Sequence, residues 1–228
     1  MKRVYSVEPA DKHSYTTQFD RFYTWFAPVY DWLIPWLPLW HTWVAPVIPY
    51  VHGPRVLEVS FGTGHLLTHY AQRYETYGID YNRRMTQIAR ANLARQGVAA
   101  RLLVGNVEAL PFAAEIFDTV VNTMAFSGYP DARHALSELR RVLRRGGRLL
   151  MVDANFPADG NWRGMALARM VAASGDLLRD MSDLFWQYGF AHTDTEIGGW
   201  GSIHLYVATK LDTTAHLTKH TSAAKQRL

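Results

Sequence analysis

From residue 54 onward, short β-rich apolar runs alternate with segments whose apolar residues recur at helical spacing. "RVLEVSF" (55–61), "TYGID" (76–80), "ARLLVGN" (100–106), "FDTVVNT" (117–123) and "GRLLMVD" (147–153) are the apolar runs. Between them, "GHLLTHYAQRY" (64–74) has helical spacing through Leu67 and Ala71. "NRRMTQIARANLARQG" (82–97) lines up Met85, Ile88, Ala89 and Leu93 and stops at Gly97, a suitable helix-ending residue. "DARHALSELRRVLRRGG" (131–147) predicts a helix capped by Asp131, with Leu136, Leu139 and Leu143 inward and Gly146 at its end. Strands this apolar, alternating with helices, predict an open, mostly parallel sheet covered on both faces.

The end of the chain breaks the alternation. "HTDTEIGG" (192–199) and "GSIHLYVATK" (201–210) are strand-like and almost adjacent. A parallel pair needs a long crossover, so these two must form an antiparallel hairpin. The division that follows is an N-terminal segment (1–53), an α/β domain (54–210) with a helical insertion (155–189), and a polar tail (211–228).

Composition changes this picture little. The 228 residues, 48% hydrophobic and 19% charged, suit one sizeable core. A net charge of +4 allows an anionic substrate or lipid surface but is too small to indicate nucleic acid. The chain has no cysteine, which excludes a disulfide framework, a thiolate nucleophile and a cysteine-based zinc site. No secretory signal is visible at the start, and a cytoplasmic location is expected.

One segment stands apart. "YDWLIPWLPLWHTW" (30–43) holds four tryptophans, and no Lys, Arg, Asp or Glu occurs from Trp32 to Val51. Pro35, Pro38, Pro46 and Pro49 interrupt it, which excludes a single spanning helix because the freed carbonyls would lack partners in lipid. Contact with a membrane surface stays open.

Candidate chemistry gathers where strands end. "EVSFGTGH" follows the first strand, and Gly62 and Gly64 let the backbone turn and approach a ligand. Asp80 ends the second strand, placed to accept two ribose hydroxyls. A dinucleotide fingerprint would need a third glycine where Leu67 stands, and no phosphate-loop lysine is present. Glu58 suits a cationic amino-acid end and would repel a pyrophosphate.

In order and spacing, "VLEVSFGTGHLL", "GIDYN", "GNVEALPF" and "FDTVVNT…LSELRRVLRRGGRLLMVD" resemble the motifs of class I S-adenosylmethionine-dependent methyltransferases. The likeness is strongest to the ubiquinone/menaquinone-biosynthesis and phospholipid branch. It implies a seven-stranded sheet of order 3-2-1-4-5-7-6 with the last strand antiparallel, under an N-terminal helical lid. It implies S-adenosylmethionine as cofactor, S-adenosylhomocysteine as product, and no metal. Glu58, Ser60, Gly62, Thr63 and Gly64 would surround the methionine and ribose end. Asp80 would hold the ribose hydroxyls, Tyr81 would pack on adenine, and Asn106 and Val107 would meet the adenine edge. Asn122 and Thr123 would lie near the sulfonium. Ser60 stands where the family has a first glycine, and Asn106 where aspartate is commoner. A loop side chain bonding its own backbone is an equal reading of Asn106.

For the acceptor, the resemblance places Tyr30 near the sulfonium, with Asp31 structural or acceptor-facing. His41, a titratable group in an apolar segment, is the candidate base, although a packed, hydrogen-bonded histidine is the plainer reading. His204 is a weaker candidate of the same kind. His65 and His69 have metal-like spacing but no third ligand nearby. Trp36 and Trp40 would form one wall of the acceptor site, and Asn155, Trp162 and Arg163 another. Such walls suit a hydrophobic or lipid-like acceptor. "NTMAFSGYP" lacks the Pro-Pro-aromatic run of nucleic-acid amino-methyltransferases, so no nucleic-acid partner is expected. Arg140, Arg141, Arg144 and Arg145 are expected at a solvated helix end. A monomer or homodimer, a non-catalytic cofactor-binding subunit, and a methyltransferase for a small polar metabolite all stay open.

Overall fold

The computed structural model describes residues 3–33 and 42–212, without the side chains of 19, 22, 23 and 26–33. Seven strands form one sheet: β1 (Arg55–Val59), β2 (Glu75–Asp80), β3 (Arg101–Val104), β4 (Phe117–Thr123), β5 (Leu143–Ala154), β6 (Phe190–Gly198) and β7 (Ile203–Lys210). Their order is β3-β2-β1-β4-β5-β7-β6. The first five are parallel, and β7 runs antiparallel to both β5 and β6. The expected architecture and terminal hairpin are both present.

The helices are α1 (Lys12–Leu33), α2 (Leu67–Tyr70), α3 (Arg83–Arg95), α4 (Ala132–Val142), α5 (Trp162–Ala173) and α6 (Met181–Gln187). Two apolar layers sandwich the sheet. One packs Val56, Val121, Leu150 and Val152 against Leu67, Ala89, Leu93 and Met165. The other packs Leu57, Val120, Leu149 and Met151 against Leu136, Leu139 and Phe185. Alternate residues of each strand go to opposite faces, so the central strands read as continuous apolar runs.

Two elements differ from the sequence reading. The helix expected over 64–74 shrinks to α2 plus a 3-10 turn at Ala71–Arg73. Gly64 sits at φ +75°, and the His69 amide bonds back three residues to the Leu66 carbonyl, so the loop closes as tight turns. The helix expected over 131–147 ends at Val142, and β5 begins at Leu143, whose register partner is Phe117. The Arg-Arg-Gly-Gly run is a strand irregularity, not a helix end: the β4–β5 register shifts between Phe117 and Thr119, and Gly146 lies at φ +69°. Asp131 caps α4 as expected, accepting from the His134 amide at 3.0 Å.

Arg140 and Arg141 lie in the last turn of α4, as expected, whereas Arg144 and Arg145 fall on β5. Arg141 pairs with Glu138 and donates to the carbonyls of Phe112 and Leu110. Arg144 pairs with Asp118 at 2.8 Å.

The N-terminal segment lies along the insertion. Ser6 donates its amide to Leu178 O at 2.8 Å, and Arg3 reaches Pro157 O. Helix α1 then meets α3 through Asn82. That residue caps α3, accepting from the Met85 amide, while its Nδ2 donates to Asp20 and Thr24. Asn82→Ala removes the cap and the tether together. It should lower stability by about 1–2 kcal/mol, read as a shifted denaturation midpoint. An unchanged midpoint would mean that Asn82 holds neither element.

Candidate functional site

The site lies at the carboxyl ends of β1, β2 and β4, where open α/β sheets present their loops. A cavity there is walled by Glu58, Ser60, Gly62 and Thr63 from β1 and its loop, by Asp80 and Tyr81, by Asn106 and Val107, and by Thr123. Nine of the eleven residues that the sequence assigns to cofactor contact thus share one wall.

Gly64 and Asn122 are not on it. Gly64 faces α3: a β-carbon there would lie 2.9 Å from that of Ala89, so this glycine is needed for close helix–sheet packing. Asn122 is fully buried, one position behind Thr123 on the opposite face of β4. Its Nδ2 donates to the Tyr129 hydroxyl at 2.8 Å, and its Oδ1 is buried with no partner among the described residues.

That hydroxyl also lies 2.7 Å from Ser60 Oγ. Ser60 sits at φ +53°, in the left-handed region that favours glycine. The serine thus accepts backbone strain and ties the loop after β1 to the loop after β4 through Tyr129, which also lines the cavity. This is why the departure from the family pattern at Ser60 is tolerated. Asn106 uses its Oδ1 on its own backbone, capping a 3-10 turn at Val107–Ala109 through the Glu108 amide at 3.0 Å. It keeps its place on the cavity wall.

Two buried carboxyls dominate the electrostatics. Glu58 is 1% exposed, and burial pushes its pKa up to about 8, against the pull of the Tyr70 hydroxyl that donates to it. Burial likewise raises Asp80 to about 6, although the amides of Gly62 and Asn82 both donate to it at 2.8 Å. Each carboxyl holds a proton well above its ordinary range until a donor or cation meets it.

Asn155, Trp162 and Arg163 do not reach this cavity. Asn155 is buried and donates to Tyr206 Oη and Arg179 O. The inward face of α5 is Gly164, Met165 and Ala168, so Trp162 turns outward at 69% exposure with the Arg163 guanidinium over its ring. Tyr30 and Asp31 lie within α1, but their side chains, like Trp36, Trp40 and His41 entirely, fall outside the described residues. His204 is buried away from the cavity, paired with Asp194 at 2.7 Å. His69 spends Nδ1 on the His65 carbonyl, and His65 touches the cavity rim.

Thr16, Asp20, Met124, Ala125 and Asp176 also line the cavity. Thr16 and Asp20 come from α1 and carry no motif. Asp176 follows α5, within the insertion expected to line the acceptor site.

Residues 57–151 match the family model described as a methyltransferase domain. The chain belongs to the class I S-adenosylmethionine-dependent methyltransferases. It is 33% identical over 141 residues to the phosphatidylethanolamine N-methyltransferase of Cereibacter sphaeroides, covering 61% of this chain and 66% of that protein. It is 37% identical over 109 residues to the demethylmenaquinone methyltransferase of Thermus thermophilus, covering 46% of this chain and 50% of that protein. The crystal structure of the YcgJ protein from Bacillus subtilis superposes with a TM-score of 0.62 at 20% identity, over 75% of this chain and 99% of that one. That last likeness is one of fold. The chain spans between about half and two thirds of the length of these two curated relatives.

Proposed function

We propose that this protein transfers a methyl group from S-adenosylmethionine to a hydrophobic, lipid-like acceptor. The observation that carries the reading is the pair of buried carboxyls, Glu58 and Asp80, on one cavity wall at the ends of adjacent strands.

The chemistry of this wall fits the cofactor. A ligand with an ammonium group and a vicinal diol would supply what Glu58 and Asp80 lack, a cation for the first and hydroxyl donors for the second. Gly62 leaves open space where a side chain would stand, since a β-carbon there would meet nothing within 4 Å among the described residues. Tyr81, 48% exposed, offers a ring face for adenine, with Asn106 and Val107 beside it.

Bound S-adenosylmethionine supplies an already electrophilic methyl group. The protein's share is to hold the acceptor in line and exclude water. The hydrophobic acceptor is supported by apolar walls at Val44, Phe61, Leu66, Met124 and Ala125, and by relatives named for a phospholipid and a quinone precursor. Among the described residues no helix is long and apolar enough to cross a membrane.

Calorimetry with S-adenosylmethionine, S-adenosylhomocysteine and NAD tests the first half. Both S-adenosyl ligands should bind and NAD should not; binding by neither would remove the reading. Release of S-adenosylhomocysteine on incubation with phosphatidylethanolamine or reduced demethylmenaquinone tests the second half and separates an enzyme from a non-catalytic binding subunit.

A further inference from the structure

Behind the cavity-lining Asp176, one hydroxyl serves two carboxyls. Ser127 Oγ lies 2.8 Å from Asp153 Oδ1 and 2.8 Å from Asp176 Oδ1. A hydroxyl has one proton. If both acids were ionised, one of these contacts would set lone pair against lone pair. The trio must therefore hold one proton more than the hydroxyl's own.

Asp153 is the partner with more hydrogen-bond donors. The amides of Ser127 and Ala154 both donate to it at 2.7 Å, and it is buried at the end of β5. Among the described residues Asp176 accepts from no main-chain amide and has only a long contact of 3.4 Å to Ser174 Oγ besides Ser127, and it lines the cavity with Met124, Ala125 and Gly128. The two amide donors favour the charge on Asp153 and so the extra proton on the cavity-facing acid, although Asp153 is the more deeply buried of the two. Burial raises both acids, Asp153 to about 6.

The surroundings are fixed. Arg179, from the segment before α6, donates to the carbonyls of Phe126, Leu177 and Tyr129, and its charge acts on Asp153 at longer range, with no ion pair to either acid among the described residues. Tyr206 from β7 and Tyr129 from the loop after β4 stand on the Asp153 side as neutral phenols raised by burial. Tyr15 from α1 donates to Gly175 O, holding the Asp176 turn under the N-terminal helix. Lys12, the nearby surface cation on α1, is taken up by Asp131 and Glu8.

We infer that Asp176 anchors the reacting head group and receives its proton, so that the acceptor is an amphiphile ending in an O–H or N–H donor. Ser127 and Asp153 position that carboxyl. This rests on the methyltransferase reading above. When the acceptor oxygen or nitrogen bonds to the methyl carbon, the carbon–sulfur electron pair returns to sulfur. Donor binding replaces the Ser127 contact to Asp176, so that carboxyl releases its own proton to solvent while Ser127 keeps its bond to Asp153, and the surplus head-group proton then passes to the Asp176 carboxylate.

The test uses S-adenosylhomocysteine-saturated full-length protein and matched probes, each below its micelle concentration. One pair is para-nonylphenol and para-nonylanisole; the other is dodecylamine and dodecyltrimethylammonium. Within a pair the donor hydrogens are replaced by methyl groups, and the two arms separate a hydroxyl head from an amine head. At least one donor probe should bind about tenfold or more tighter than its methylated partner, and dodecylamine binding should release a proton at pH values where free Asp176 is protonated, seen in buffers of different ionisation enthalpy. Asp176→Asn should abolish the preference and the proton release while leaving S-adenosylhomocysteine affinity within about twofold, an ordinary surface-scale change. Ser127→Ala should move the pH midpoint of probe binding. Equal binding within both pairs, a preference that survives Asp176→Asn, or an unmoved midpoint in Ser127→Ala overturns the inference with the methyltransferase reading intact. Failure of wild-type protein to bind S-adenosylhomocysteine overturns both.

Discussion

Asp80→Ala is expected to weaken S-adenosylhomocysteine binding by about a hundredfold or more. A buried carboxylate that accepts two hydroxyl donors contributes roughly 3–5 kcal/mol through charge-assisted hydrogen bonds. It also builds the site: its two oxygens receive the amides of Gly62 and Asn82, so it fixes the glycine turn and the start of α3 at once. Asp80→Asn should fare little better. An amide NH2 would have to face one of two N–H donors, and the loop would open to relieve the clash. Calorimetry reads the affinity, with circular dichroism to confirm that the fold persists. Unchanged affinity in both variants would remove Asp80 from the ribose role.

Asp80 was legible in the sequence because its position follows from a short strand and a counted distance from Gly62. The covered parallel sheet was legible in the same way, from apolar runs such as "GRLLMVD" alternating with helices, whereas the strand order came from the family resemblance. What failed was local. The run "RRVLRRGG" has helical spacing and a terminal glycine, yet Leu143 lies opposite Phe117 and long-range pairing overrode local preference. Asn122 was misplaced for a different reason. Motif order locates a residue along a strand but not on which face it projects, and one step separates Asn122 behind the wall from Thr123 on it.

The acceptor end was the least legible. Asn155, Trp162 and Arg163 were chosen by residue type within the insertion, and the burial of Gly164, Met165 and Ala168 turned the helix the other way. Asp176 had no motif around it; its meaning comes from Ser127, 49 residues away. Ser60 shows the converse. Its departure from glycine was visible at once, but its reason, the bond to Tyr129, lies across two loops.

Glu58→Gln should move stability and binding in opposite directions. In the folded protein without ligand, Glu58 keeps its proton up to a pH of about 8, because burial penalises the charge and Asp80 nearby adds to the penalty. In the unfolded chain it loses the proton near its ordinary value of 4.5. Between those two pH values the folded state binds more protons than the unfolded one, so stability is fully present below about pH 4.5 and falls as pH rises towards 8. The size of that loss is on the order of 3–5 kcal/mol. Glutamine is neutral, nearly the same shape, and still accepts from Tyr70. Glu58→Gln should therefore match wild type at pH 5 and be the more stable protein at pH 9 in urea melts. A shallower decline between about pH 4 and 6 should remain in the variant, because Asp80 shifts from 3.8 to about 6 and is still present. Cofactor binding should respond oppositely. Glutamine offers no charge to an ammonium group, and affinity for S-adenosylhomocysteine should fall by about ten- to a hundredfold. In wild type, binding near pH 7 should release a proton as Glu58 ionises against the cation, and in Glu58→Gln that release should vanish. Equal melts at pH 9 would show that Glu58 is not held protonated by the fold. Unaltered affinity would show that the cofactor's cation is held elsewhere. Both expected changes together would mean that the apolar wall around Glu58 keeps a carboxyl neutral until its ligand arrives, and that the folded state is less stable at neutral pH because of it.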